Sequence, residues 1–224
     1  MCFSAEASFT AAAILLPTGA MAMQKAYRTD RRYFPFATLP LLFGLQQLFE
    51  GLVWTGNALS NASLVQQFSL AYMFFSWLAW PVWVPFSTYF LDPCQRRYIY
   101  LIFAILGGMV GAMQYLPYFA HEGWLITRFF PHAISYQGTV LFDLIMRREL
   151  TNALYLFVIL APLLTSSNRN AQIFGILISA VAIVTYLFFQ FAYISVFCFG
   201  GALMSLYIVY VVFRAAAREQ EQAA

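Results

Sequence analysis

Acid and amide side chains recur in one stretch of otherwise apolar sequence. Gln46 and Gln47 precede Glu50 by four and three residues, and Trp54 follows it by four. In an α-helix this spacing places all four side chains on one face. A charged side chain at the middle of a membrane-spanning helix costs about 2.5–3.5 kcal/mol on insertion scales, so a carboxyl there indicates a function. Glu50 is therefore the first candidate acid, base or ligand of this sequence.

The chemistry of Glu50 depends on what surrounds it. A carboxylic acid buried away from cations is favoured in its neutral form, which suits a general acid or base, a proton carrier or a cation ligand. The alternative is a neutral Glu50 that is hydrogen-bonded to Gln46 or Gln190 and only fixes the packing of the helices.

Other polar side chains are predicted at the same end of the molecule as Glu50. They belong to the ends of other apolar segments or to one long connection, whereas the opposite halves of these segments contain only scattered Ser and Thr. We therefore expect a polar pocket that opens outward beneath the long connection; the alternative is that these groups only satisfy one another. The residues are Glu6, Gln114, His132, Tyr136, Gln190 and Cys198.

The cysteines and histidines allow three interpretations. Cys2 and Cys198 are predicted at the same outer face, where an oxidising exterior permits a disulfide between them. The same two thiols, with His132 or His121, could instead hold a transition metal such as zinc or copper. The third interpretation is free thiols. Retinal and haem are not expected, because the last apolar segment lacks a lysine and facing helices lack histidines.

The composition predicts a protein embedded in lipid. The 224 residues are 62% hydrophobic and 9% charged, and the mean hydropathy is +0.71. Soluble domains are closer to half apolar and a quarter charged, so a chain of this length has too little interior for its apolar surface. The formal charge of +3 is too small and too scattered to indicate nucleic acid. The expected partners are a lipid bilayer and a small molecule or ion.

Seven segments are long and apolar enough to span a bilayer as helices, which requires about 20 residues each. The sequence thus predicts an all-α, seven-transmembrane-helix bundle over residues 1–214, with a polar cytoplasmic tail over residues 215–224. No basic region precedes the first segment, so we expect it to be retained rather than cleaved. The predicted helices are Ser4–Met23, Tyr33–Trp54, Phe68–Phe90, Tyr98–Phe119, Glu149–Thr165, Ala171–Gln190 and Ser195–Phe213.

Basic residues predict the orientation of the bundle. Nine of the twelve Lys and Arg residues lie on one side of the predicted helices, and Arg128, Arg147 and Arg148 lie on the other. Because basic residues in short loops stay in the cytoplasm, the amino terminus is predicted outside and the carboxyl terminus inside. The nine are Lys25, Arg28, Arg31, Arg32, Arg96, Arg97, Arg169, Arg214 and Arg218.

The long connection, residues 120–148, is predicted to cover the mouth of the bundle. Leu125–Phe130 and Ala133–Tyr136 flank Pro131-His132, a pattern typical of a short β-hairpin. Thr139–Met146 is too short to span and predicts an interfacial helix or an extension of the fifth helix. Gly107-x-x-x-Gly111 predicts close approach of the fourth helix to a neighbour.

Several blocks resemble a family of uncharacterised bacterial multi-pass membrane proteins. They are the opening Met1–Ser8, the segment Leu41–Trp54, Trp80–Pro85, and Tyr186–Phe189 with Ser195–Phe199, where position 197 is Phe rather than the Trp expected from similar members. The resemblance covers nearly the full length and is weakest in the external loop. It implies a multi-pass protein of the bacterial inner membrane and the same candidate residues, but no reaction.

Three functions follow from these patterns. The first is a bundle that binds a small ligand or metal in an outward-facing pocket, with Glu50 oriented by Gln46, Gln47, Gln114 and Gln190; whether it is an enzyme is left open. The second is a proton-coupled transporter of a small solute, which requires a polar path to the cytoplasmic side. The third is a structural or assembly protein whose polar groups only lock helices together.

Overall fold

A computed structural model describes residues 4–93, 97–121, 123–138 and 147–223, with the side chains of residues 218–223 left out of the description. The described chain is a bundle of helices with one β-hairpin. Thr139–Met146, for which an interfacial or extended helix was predicted, lies outside these residues. The elements are α1 (Ala5–Thr29), α2 (Phe34–Ala37), α3 (Leu39–Ala58), α4 (Ala62–Met73), α5 (Trp80–Leu91), α6 (Tyr98–Ala120), β1 (Leu125–Phe130), β2 (Ala133–Gly138), α7 (Arg148–Thr165), α8 (Arg169–Phe188) and α9 (Tyr193–Ala223).

All seven predicted helical segments are helical in the structure, with displaced ends. Within the described residues, six segments are both long and apolar enough to cross a membrane. The sixth predicted helix, Ala171–Gln190, ends two residues earlier in the structure, at Phe188. Gln190 instead begins a short 3-10 turn that leads into α9. The six segments are Ala5–Thr29, Arg31–Ala58, Tyr98–Ala120, Arg148–Thr165, Arg169–Phe188 and Gln190–Ala217.

The third predicted helix, Phe68–Phe90, is continuous in the structure but changes its hydrogen-bond register in the middle. Its parts α4 and α5 have 12 residues each and are joined without a break by a π-helical turn, Phe74–Ala79. At the end of this turn the Trp80 N–H donates to the carbonyl of Phe75, five residues back. The next donor in this register would be residue 81, which is a proline and has no N–H. The proline therefore leaves the carbonyl of Ser76 without its helical partner.

A side chain from another helix replaces the missing donor. The hydroxyl of Tyr155, from α7, donates a hydrogen bond to the Ser76 carbonyl. Both Tyr155 and Ser76 are buried, where an unpaired carbonyl would be costly. The helical interruption thus fixes the position of α7 against the joint between α4 and α5.

The glycines of α6 allow the bundle to close on this same joint. A Cβ atom at Gly107 would overlap the Pro81 carbonyl, and one at Gly111 would overlap the Trp77 carbonyl. Gly108 has only the Val82 side chain near its Cβ position, at 3.4 Å. The prediction that Gly107-x-x-x-Gly111 mediates close packing is confirmed.

The remaining helices enclose an apolar core. α1 packs along α3 and α9, α8 packs against α7 and α9, and α6 packs against α5 and α7. The end of the bundle opposite the hairpin is fastened by polar contacts. Asp92, just after α5, accepts hydrogen bonds from the Tyr100 hydroxyl at 3.2 Å, the Ser166 hydroxyl at 3.0 Å and the Ser167 N–H at 2.7 Å.

The predicted β-hairpin is confirmed. β1 and β2 pair antiparallel, with Leu125 opposite Gly138 and Phe130 opposite Ala133. Leu125 of β1 and Ile134 of β2 are buried in the apolar core. The Thr127 and Ser69 hydroxyls lie 2.8 Å apart, which fastens β1 to α4. The hairpin is therefore packed onto the helices, and we call the end of the bundle that it covers the hairpin end.

Replacing Gly107 by alanine should destabilise the fold by about 1–3 kcal/mol, because the added methyl meets backbone that cannot move aside. The measurement is the thermal unfolding temperature of the detergent-purified protein. Gly108→Ala is the matched control and should change that temperature much less. Equal effects of the two substitutions would contradict the proposed close approach.

Tyr155→Phe should destabilise the fold by about 1–3 kcal/mol, because it leaves the buried Ser76 carbonyl without a donor. The matched control is Tyr136→Phe, which removes a buried hydroxyl that has no hydrogen-bond partner. Thermal unfolding should separate the two variants clearly. A Tyr155→Phe protein as stable as the control would show that the Ser76 carbonyl finds another partner.

Candidate functional site

Glu50 lies in the interior near the hairpin end and is 1% exposed. The hydroxyl of Ser195, from α9, donates to its Oε1 at 2.5 Å. Ser8 of α1, Gln47 of α3 and Tyr72 of α4 also lie close enough to interact with the carboxyl. In the described residues the only ion pair joins Arg32 and Asp30, so no cation there pairs with Glu50. Neutral groups from four helices therefore surround this carboxyl.

The contacts of Gln47 and Tyr72 with Glu50 are close but not well directed. Neither amide atom of Gln47 has a hydrogen-bond partner of normal geometry, and neither does the Tyr72 hydroxyl. The hydrogen bond from Ser195 is the well-directed one, and it is short. Gln47 and Tyr72 lie close to the Glu50 carboxyl but form no hydrogen bond of normal geometry with it.

Gln46, the neighbour of Gln47 in α3, forms hydrogen bonds with the segment around the π-helical turn. Its amide nitrogen donates to the Ser76 hydroxyl at 2.9 Å, and its amide oxygen accepts from the Trp80 indole at 3.1 Å. It thereby joins α3 to the π-helical turn and to the first residue of α5. Cys198 lies next to Ser76, with 3.5 Å between Sγ and Oγ.

A cavity of about 580 Å³ lies at the hairpin end, and four residues of β2 line it. This volume is within the range of sites for small organic ligands. Gln114 and Gln190, both predicted pocket residues, line it together with Tyr136. Its other polar lining residues include Ser135, Arg148, Thr151 and Asn152, and its aromatic ones are Trp77, Tyr118, Trp124, Phe191 and Tyr193.

Four of the lining side chains carry buried polar atoms that have no hydrogen-bond partner. They are the Trp77 indole nitrogen, both amide atoms of Gln114, the Tyr136 hydroxyl and the Thr151 hydroxyl. All four residues are buried. Buried polar groups in proteins are normally paired, and each exception requires an explanation such as a bound molecule. The four residues that carry these atoms belong to the lining of one cavity and come from the π-helical turn, α6, β2 and α7.

The hairpin positions the roof of this cavity. Gly138 allows β2 to pass close to Tyr118, because a Cβ there would overlap the Trp124 carbonyl and the Tyr118 ring. The Arg148 guanidinium donates to the Gly138 carbonyl at 2.9 Å, which joins the end of β2 to the start of α7. Phe130 packs edge-on against Phe191. The roof is therefore held by α6, α7 and the segment before α9.

Tyr136 lies between the cavity and Glu50. Its ring stacks on that of Tyr72 with 4.8 Å between centroids, and it is close enough to Glu50 for their charges to interact. Burial, and then the nearby Glu50 carboxyl, raise the pKa of Tyr136 well above its ordinary value. The Tyr136 hydroxyl therefore keeps its proton at neutral pH and can both donate and accept a hydrogen bond.

The structure thus divides the predicted site residues into two groups. Gln114, Gln190 and Tyr136 line the cavity, whereas Glu50, Gln46 and Gln47 are not among its lining residues. Trp54 lies apart from both and packs against Phe129 at 5.7 Å. Glu6 is exposed on the first turn of α1.

The predicted metal site is not supported. Cys198 is a buried free thiol, while His132 is exposed in the hairpin turn. Cys2 lies outside the described residues. Among the residues that the structure describes, no three His, Cys, Asp or Glu side chains are grouped as metal ligands would be. The alternative disulfide is likewise not found at Cys198.

Sequence reasoning missed several residues of this region. Trp77 becomes a lining residue through the π-helical turn, which has no clear signal in the sequence. Arg148, Thr151 and Asn152 have a signal, since their i, i+3 and i+4 spacing places them on one face of α7. Ser195 was treated only as the start of the last helix.

Comparison with known proteins gives a family but no activity. No curated protein and no solved structure shows significant similarity to the chain. A family model matches residues 1–223, which is nearly the whole chain. The chain belongs to DUF6629, a family of unknown function.

Proposed function

We propose that this protein spans a membrane and binds a small polar organic molecule in the cavity beneath its β-hairpin. The amino terminus and the hairpin face the outside and the carboxyl terminus faces the cytoplasm. The membrane is the bacterial inner membrane. The observation that carries the binding proposal is that four residues in the lining of one cavity have buried polar atoms without a hydrogen-bond partner.

Support for membrane insertion comes from the surface of the helices. Ile102, Ile105, Met109, Leu116 and Phe119, all on α6, are each more than half exposed. They cover the full length of this helix, and five other segments are similarly long and apolar. A lipid bilayer covers such a surface without cost, whereas water does not.

Support for binding comes from the free-energy cost of buried polar groups that have no hydrogen-bond partner. Each buried donor or acceptor without a partner costs about 1–3 kcal/mol. A protein that used these groups only to fix its helices would pair them with each other, as Gln46 pairs with Ser76 and Trp80. Trp77, Gln114, Tyr136 and Thr151 instead line one cavity while their polar atoms remain unpaired, and this favours a ligand over a purely structural role.

The region on the other side of the cavity from the hairpin favours binding over transport. Phe43 and Trp80 stack there with 4.0 Å between ring centroids. The cavity that they line together with Ile159 and Leu163 is apolar and measures only about 20 Å³. Transport would require a polar path through this region, and its packing supports a site that opens at one end.

Glu50 has a positioning role in this proposal. It holds Ser195 by a hydrogen bond and lies against Tyr72, whose ring stacks on Tyr136. The carboxyl therefore acts on the cavity through the two tyrosines, since neither Glu50 nor Ser195 is part of the lining.

The orientation of the bundle can be tested by cysteine labelling in intact cells. In a Cys2→Ser, Cys94→Ser background, Arg128→Cys on β1 should react with a membrane-impermeant maleimide. Ser167→Cys, an exposed position at the opposite end, should react only after the membrane is permeabilised. Labelling in the reverse order would contradict the proposed orientation, and equal labelling in intact cells would contradict membrane insertion.

Binding can be tested with four probes that share one phenyl ring, because the cavity has aromatic walls on which such a ring can stack. The probes are benzamide, benzylammonium, benzoate and phenyl phosphate at millimolar concentration. At least one should raise the unfolding temperature of the purified full-length protein, and the shift should increase with concentration. The measurement is thermal unfolding in detergent.

The cavity variants Gln114→Leu and Thr151→Val should abolish this shift, because each removes an unpaired polar group from the lining. Gln67→Leu, an exposed residue of α4 outside the cavity, is the matched control and should retain it. The binding proposal fails if none of the four probes stabilises the protein, or if the shift persists in both cavity variants.

A further inference from the structure

We infer that the ligand of the roofed cavity is an organic anion whose carboxylate or phosphate group binds beside the amino-terminal turn of α7. This inference rests on the proposed function and specifies the chemical class of the ligand. It is carried by the type and placement of the donors in the cavity lining.

The first turn of α7 forms part of the cavity wall. Arg148, Thr151 and Asn152 all line the cavity, and α7 has 18 residues. The residue before the helix, Arg147, makes no side-chain hydrogen bond to this turn. The amino terminus of a helix carries partial positive charge and N–H groups that favour anions. The wall therefore attracts negative charge.

Unpaired side chains provide independent evidence at the same place. The Thr151 hydroxyl is buried in this turn and has no partner. The Trp77 indole nitrogen, also buried and unpaired, can only donate a hydrogen bond. An N–H that can only donate requires an acceptor, and carboxylate and phosphate oxygens are the strongest acceptors among common ligand groups.

The charge of the lining agrees with an anion. Among the described lining residues there is no aspartate or glutamate, and Arg148 adds a guanidinium at the rim. Glu149, in the same turn of α7, is exposed and is not part of the lining. The Tyr136 and Gln114 side chains supply further donors from the roof and from α6. The amide and hydroxyl groups of the lining can both donate and accept, whereas the Arg148 guanidinium and the Trp77 indole can only donate, and this difference favours an oxyanion.

The test compares probes of the same shape and different charge. Benzoate and benzamide differ mainly in the negative charge, and phenyl phosphate and benzylammonium extend the comparison. Benzoate, phenyl phosphate or both should raise the unfolding temperature, and benzamide and benzylammonium should not. Stabilisation by benzamide that matches or exceeds that by both anions, and that is lost in Gln114→Leu, would overturn this inference and leave the proposed function intact.

Two variants connect the effect to the named donors. Trp77→Phe and Arg148→Gln should each weaken the binding of the stabilising anion about ten-fold or more, since each removes a donor or a charge from it. Arg128→Gln, an exposed residue of β1 outside the cavity, is the matched control and should keep the affinity of the native protein. Unchanged affinity in both Trp77→Phe and Arg148→Gln would overturn the inference. A lack of response to all four probes would overturn the proposed function as well.

A final comparison distinguishes a lipid headgroup from a soluble anion. The protein is placed in nanodiscs of phosphatidylcholine or of phosphatidylglycerol, and the binding of the stabilising anion is measured in each. Competition by phosphatidylglycerol alone supports the phosphate of an anionic lipid as the natural ligand group. Equal binding in both supports a soluble organic anion.

Discussion

The organisation of this bundle depends on one absent backbone N–H, that of Pro81. Because the preceding turn is π-helical, the unpaired carbonyl is that of Ser76, and Tyr155 must approach from α7 to pair with it. The glycines of α6 bring a third helix against the same joint. Three helices are thus located relative to one another by a local irregularity rather than by apolar packing alone. The π-helical turn also turns the Trp77 side chain into the space that the three helices leave.

The polar interior consists of two neighbouring regions, one around Gln46 and Glu50 and one beneath the hairpin. Around Gln46 the donors and acceptors are matched, and the side chains act as cross-links between helices. Beneath the hairpin, the polar atoms of Gln114 and Thr151 are unmatched. The stacked pair of Tyr72, which lies close to Glu50, and Tyr136, which lines the cavity, connects the two regions. The bonds of Gln46 supply rigidity. The cavity lining, like Gln47 and Tyr72 beside Glu50, keeps polar atoms that are not hydrogen-bonded within the described protein.

Much of this fold could be predicted from the sequence, because apolar segment length and turn composition act locally. The helices and the hairpin between Leu125 and Gly138 follow from such patterns. The division of polar groups into two regions could not be predicted, because it depends on how far each side chain reaches across the bundle. Glu50 was correctly expected in the interior but was expected to line the pocket itself. The π-helical turn that brings Trp77 to the cavity could not be predicted either, because the spacing of apolar residues in the sequence does not reveal such a turn.

The attachment of the hairpin has a consequence for how the protein is made. β1 and β2 lie between α6 and α7 in the chain, yet β2 contacts α9 and the turn that begins at Gln190. The ribosome synthesises those segments last. The roof can therefore reach its final position only after the last helix has entered the bundle, so closure of the cavity reports that assembly of the whole chain is complete.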